Sequence, residues 1–177
     1  MRRMADIDLL GNPFVQQQMV WTSITLLALG ICAGIIGGVA LPHEQIGPLW
    51  FVILVVVSLV ALPLHELVHA AAFLLLSGFS AHIRFGFTGG MLYTSAVGTI
   101  LPRRRFCIVL LAPAVIVTTV LVLAAFAAGY PLMGWFLAAI HLAGCTGDFA
   151  LARAILHEPL ATYVQDTERG VAFFYDE

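Results

Sequence analysis

His65-Glu66-Leu67-Val68-His69 forms an HExxH motif. On a helix, residues at i and i+4 share a face, so the two imidazoles can bind one metal ion together. The intervening glutamate then stands beside that ion as a general base. The chemistry this predicts is hydrolysis: water activated at zinc, a carbonyl polarised by the ion, and a proton carried by Glu66 to a leaving amine. The motif lies in a long apolar run, where buried ionisable groups are costly and usually functional.

A catalytic zinc needs a third protein ligand besides water. The extended pattern HExxHxxGxxH does not hold, because Ala72 and Leu75 occupy its later positions. No acidic residue follows Glu66 until Asp148, which leaves Asp148, His82, His141 and His157 as candidates, with Glu158 further out. The choice among them depends on the segments that carry them.

Those segments read as membrane spans. The chain has 177 residues, of which 61% are hydrophobic and only 10% charged, too little charge to coat a water-soluble domain of this size. The net charge of -2 and the lack of a basic stripe argue against a nucleic-acid partner. Four stretches, residues 19–40, 49–77, 107–128 and 131–156, are long enough to cross a bilayer. The expected fold is therefore an all-α integral membrane protein of four transmembrane helices, forming one membrane-embedded domain over residues 1–177. All eight basic residues are arginines: Arg2, Arg3, Arg84, Arg103, Arg104, Arg105, Arg153 and Arg169. In a four-span arrangement they fall on one side, which the positive-inside rule makes cytoplasmic. Both termini, and a tail over residues 157–177, then face the cytoplasm.

Depth now selects the third ligand. His65 lies ~24 Å below the outer start of its span and Asp148 ~26 Å below the start of the fourth, at ~1.5 Å per residue. His141 sits about 10 Å higher than Asp148 by the same rise, which predicts that it cannot reach the same ion. The expected set is thus His65, His69 and Asp148 around one Zn2+, with Glu66 catalytic. His141 is expected to hydrogen-bond a neighbouring span or to contact substrate or an oxyanion. Gly144 and Gly147 predict a close helix approach beside Asp148. Pro63 removes a helical donor near the motif, and a local kink there would admit water.

Between the second and third spans the pattern changes. Ile83, Phe85 and Phe87 alternate with polar or small residues, Thr88-Gly89-Gly90 signals a turn, and Met91 to Val97 forms a second short run. This predicts a small cytoplasmic-side β-hairpin, either a cap on the site or an edge that pairs with extended substrate. Gly30, Gly34 and Gly38 form a doubled GxxxG, suited to close packing within the bundle or to a homodimer. Trp21, Trp50 and Trp135 read as an interfacial belt, and His43 and His82 as interfacial residues. Cys32, Cys107 and Cys145 are widely spaced and read as small buried hydrophobes, giving no disulfide framework and no thiolate site.

The segments HELVHAAAFLLLSG, LPRRRFCIVLLAP and HLAGCTGDFALARAIL resemble the Putative zincin peptidase family of small bacterial membrane proteins, over roughly residues 55–160. The logic is similar to that of site-2 proteases, which pair a transmembrane HExxH with an aspartate on a later span. The NPDG-like form of site-2 proteases is absent; the aspartate sits in Thr146-Gly147-Asp148, and His141 stands where a small polar residue is expected. The resemblance implies His65, His69 and Asp148 as ligands and Glu66 as base. It implies an intramembrane zinc peptidase of the bacterial cytoplasmic membrane, cutting a membrane-associated protein or peptide near the cytoplasmic face. Two other functions fit the residues: a non-catalytic metal-binding scaffold or regulator, and a proton- or ion-relay bundle through His141, Asp148 and His65.

Overall fold

A computed structural model describes residues 2–8, 12–40, 44–88, 91–167 and 170–175. In chain order these form β1 (Arg2–Asp8), α1 (Pro13–Ala40), α2 (Pro48–Leu76), β2 (Arg84–Thr88), β3 (Met91–Ser95), β4 (Ile100–Pro102), α3 (Arg103–Ala127), α4 (Pro131–Gly144), α5 (Thr146–His157), β5 (Tyr163–Asp166) and β6 (Gly170–Tyr175). Three helices, α1, α2 and α3, are long and apolar enough to cross a membrane, and the bent pair α4–α5 makes a fourth if it counts as one span.

The helices start and bend where local chemistry dictates. Pro48 and Pro131 stand in the first turns of α2 and α4, where the missing N–H costs nothing. Glu44 joins those two starts. Its carboxylate accepts the Trp50 indole N–H at 2.9 Å and also the Leu132 amide. Trp50 is therefore a core residue, 5% exposed, and not part of an interfacial belt. α2 runs on through Pro63 without ending.

α3 stands at the centre, against α2, α4 and α5. Trp50, Ala61, Val117, Leu121, Met133 and Leu137 form the core of the end nearer the α3–α4 turn. On the outside, α1 and α2 display Ile24, Leu29, Ile35, Ile36, Leu49 and Leu59, an apolar surface that suits lipid and not water. Gly30, Gly34 and Gly38 of α1 face α4 of the same chain. A Cβ on Gly30 would come 2.5 Å from the Ala139 Cβ, and one on Gly34 would meet Phe136 and Trp135 at 2.9 Å. The Trp135 indole donates to the Gly30 carbonyl at 2.9 Å. Close packing within the bundle thus uses this face.

Two features differ from the expectation of an all-α chain with one hairpin. First, the hairpin exists, with β2 and β3 antiparallel from Arg84↔Ser95 to Thr88↔Met91, and its expected Gly89-Gly90 turn lies outside the described residues, as does His43. A second, four-stranded antiparallel sheet in the order β1-β6-β5-β4 accompanies it. The polar lead and the tail are its outer and inner strands: Arg2 pairs with Tyr175 and Ile7 with Val171. β1 and β6, from opposite ends of the sequence, therefore lie side by side. Phe173, Val171, Val164 and Leu101 pack from this sheet onto Ile155, Phe106, Val109 and Phe73 of the helices. Second, the fourth span is broken. α4 and α5 meet at Cys145 with a bend of 52°.

Candidate metal centre

The motif lies about two-thirds of the way along α2, and its turn is held on two sides. On one, the Thr94 hydroxyl of β3 donates to the Glu66 carbonyl at 3.0 Å. On the other, His69 Nδ1 donates to the Val109 carbonyl of α3 at 3.0 Å. That carbonyl is free because the helical donor four residues on would be residue 113, a proline inside α3. A buried carbonyl without a donor is costly, and the imidazole meets the need. The consequence for His69 is a defined tautomer: Nδ1 carries the proton and Nε2 the lone pair.

Asp148 comes from the first turn of α5, where the positive end of the helix dipole favours a carboxylate. The bend at Cys145 turns that first turn toward α2. Asp148 Oδ2 lies 3.1 Å from His65 Nε2, and Oδ1 lies 3.3 Å from His69 Nε2. The two Nε2 atoms are 3.0 Å apart. Three donor atoms from His65, His69 and Asp148 thus converge within 4.8 Å of one another. Asp148 turns to these imidazoles and not to Arg153. Gly147 gives close approach to α1, a Cβ there falling 3.2 Å from the Met19 methyl, whereas Gly144 has open space around it.

The donor set fits zinc. Ligands about 2.0–2.2 Å from a tetrahedral ion stand about 3.3 Å from one another, which is the spacing seen here. Electrostatics point the same way. With Nδ1 of His69 protonated by its bond to Val109, its Nε2 lone pair faces a second imidazole nitrogen and a carboxylate. Such a triangle repels itself unless a cation, or a proton shared among the three, stands between. Beside it, Glu66 Oε2 is buried with no hydrogen-bond partner among the described residues. A buried carboxylate oxygen left unmatched calls for explanation, and a waiting proton acceptor supplies one.

His141 bonds to neighbouring helices, as one of its two expected roles has it, but it lies closer to His65 than the depth count placed it. Its Nε2 lies 3.2 Å from His65 Nδ1, and its Nδ1 lies 2.8 Å from the Thr118 hydroxyl. Counting rise along a straight fourth span set it too high. The bend between α4 and α5 shortens that offset, so His141 reaches the opposite edge of the His65 ring from Asp148. It is 7% exposed and both ring nitrogens have protein neighbours, a poor arrangement for an oxyanion contact. Cys145, fully buried as expected, completes this edge at 3.8 Å from His65 Nδ1, its thiol donating to the His141 carbonyl at 3.2 Å. Cys107 is buried as expected, while Cys32 is exposed. His82 and His157 are exposed, and among the described residues neither they nor Glu158 join a group able to hold a metal.

Residues 58–163, more than half of the chain, match a family model described as Putative zincin peptidase. No curated protein and no solved structure matches the chain.

Proposed function

The chain belongs to the Putative zincin peptidase family, and from that premise we propose that it is an intramembrane zinc peptidase. The observation that carries the reading is the meeting of His65, His69 and Asp148 beside a buried, unpartnered Glu66 carboxylate oxygen. His65, His69 and Asp148 would hold one Zn2+. When bound, the ion supplies Lewis acidity that polarises the scissile carbonyl and acidifies water. Glu66 takes the proton from the attacking water and passes it to the leaving amine. Val109 and Pro113 keep the His69 ring turned so that Nε2 faces the ion.

The setting supports a membrane substrate. The motif lies in an apolar helix whose outer face suits lipid, near the end where the two sheets gather. The same end carries Arg84 on β2 and Arg103, Arg104 and Arg105 at the start of α3, so we assign it to the cytoplasmic side of the membrane. β3 is bonded to the Glu66 turn through Thr94, and β2 has no strand partner other than β3 among the described residues. A peptide bond in a helix is shielded, so cleavage needs an extended segment, and addition of that segment to the hairpin edge provides one. The substrate on this reading is a membrane-associated protein or peptide, unwound near the cytoplasmic face.

A second reading has its own support. His69, His65, His141 and Thr118 form a continuous chain of contacts at 3.0, 3.2 and 2.8 Å, which suits a proton relay. The deciding experiment uses purified protein in lipid vesicles. A peptidase cleaves a reporter peptide with an unwindable segment, stops on chelation, and loses about 10²–10⁴-fold activity in Glu66→Gln while keeping its metal. A relay instead conducts protons after the metal is stripped, and that result would overturn the peptidase reading.

A further inference from the structure

His65 has two ring nitrogens, and the structure surrounds both with metal-ligating atoms. The Nε2 edge meets His69 and Asp148. The Nδ1 edge meets His141 Nε2 at 3.2 Å and Cys145 Sγ at 3.8 Å, while the sulfur lies 4.0 Å from that same His141 nitrogen. Thiolate and imidazole ligands at about 2.3 and 2.0 Å from a tetrahedral ion stand about 3.3–3.6 Å apart. The observed triangle is within a few tenths of an ångström of that.

We propose a second cation site formed by His65 Nδ1, His141 Nε2 and Cys145 Sγ, back to back with the first and sharing the His65 ring. Three independent features prepare it. His141 and Cys145 are four residues apart across the α4–α5 break, and the thiol, which donates to the His141 carbonyl at 3.2 Å, lies on the opposite edge of His65 from Asp148. The Thr118 hydroxyl lies 2.8 Å from His141 Nδ1 and is able to accept its proton, which would leave the Nε2 lone pair turned inward; metal-bound histidines are commonly fixed this way. The trio is well shielded, with Cys145 fully buried and His141 7% exposed. One sulfur and two nitrogens select a borderline or soft ion such as Zn2+ or Co2+ over Mg2+ or Ca2+.

Filling the site releases the Cys145 thiol proton. With both sites filled, His65 also gives up its last ring proton and bridges the two ions as an imidazolate. The shared ring couples the sites, so the second ion draws electron density from the ligand that holds the first. Excess zinc is then expected to inhibit the peptidase proposed above. This inference rests on that reading only through His65.

Metal content of the purified, zinc-saturated protein tests it, alongside the spectrum of the Co2+-loaded form. The expected result is two ions in the wild type and one each in Cys145→Ser, His141→Ala and Asp148→Asn. A sulfur-to-cobalt charge-transfer band is expected in the wild type and in Cys107→Ser, and absent from Cys145→Ser. Serine and cysteine are nearly isosteric, so Cys145→Ser should keep the fold even where His141→Ala does not, and the band reads the site without relying on the latter. One ion that survives Cys145→Ser but not Asp148→Asn, with no cobalt–sulfur band, would overturn the second site and leave the peptidase reading standing. One ion that survives Asp148→Asn but not Cys145→Ser would do the reverse. A protein that takes up no metal would overturn both.

Discussion

His69 Nδ1 lies 3.0 Å from the carbonyl oxygen of Val109, on a different helix, and that carbonyl is available because Pro113 cannot donate to it. A proline in the middle of α3 thus decides which nitrogen of a histidine on α2 is free for metal. The local cost of one helical hydrogen bond is offset by an interhelical one, and the gain is an imidazole with a defined tautomer and direction.

Replacing Pro113 with alanine returns a donor to the Val109 carbonyl and makes it compete with His69. Zinc affinity should fall about 10-fold to 100-fold, the usual scale for loss of a ligand's supporting bond. Helix content should not fall, since alanine is the better helix former. Competition titration against a chelator checks the affinity and circular dichroism checks the helix. Unchanged affinity would separate the proline from the site.

Metal binding should also contribute to stability. An ion held by α2 and α5 together binds the folded state and not the unfolded one, and at 100 times its dissociation constant adds about 2.7 kcal/mol. Chelation is therefore expected to lower the melting temperature of the wild type by more than that of Asp148→Ala, which lacks the ligand that ties α5 to α2. Differential scanning fluorimetry in detergent, with and without chelator, makes the comparison.

Gly30 and Gly37 lie on the same helix but meet different surroundings. A methyl at Gly30 would overlap Ala139, whereas one at Gly37 meets nothing within 4 Å. Gly30→Ala should destabilise the α1–α4 contact by about 1–3 kcal/mol, and Gly37→Ala should be neutral or slightly stabilising. Equal effects in an unfolding assay would contradict the packing described above.

Asp166 links the sheets, accepting the Ala96 amide at 2.6 Å and the Ser95 hydroxyl at 3.2 Å. Burial pushes its carboxyl up to about 6, only partly opposed by those two bonds. The folded state then holds the proton more tightly than the unfolded chain. Its contribution is complete below the ordinary carboxylate range and is lost as pH rises through about 6. Asp166→Asn removes the ionisation, so its melting temperature should exceed that of the wild type by more at pH 7.5 than at pH 5. A difference that is flat with pH would refute this assignment.

The sequence held a large part of this protein. The HExxH spacing, the lone acidic residue on the last apolar run and the one-sided arginines are local or additive signals, and they lead to His65, His69, Asp148 and Glu66 without coordinates. The hairpin was legible because its two strands are neighbours in the chain. The four-stranded sheet was not: β1 and β6 are separated by nearly the whole chain, and each alone is too short and mixed to declare a partner. Nor was the position of His141, because counting rise along a helix assumes that the helix is straight.

Residue types and their intervals settled which groups are able to bind a metal, since that follows from side-chain chemistry and a period of 3.6. How those groups meet was decided only in three dimensions. The break at Cys145 brings carboxylate, imidazole and thiol to opposite edges of one ring, and a proline on another helix sets the tautomer of His69. Both are consequences of packing between distant segments, which no interval along the chain encodes.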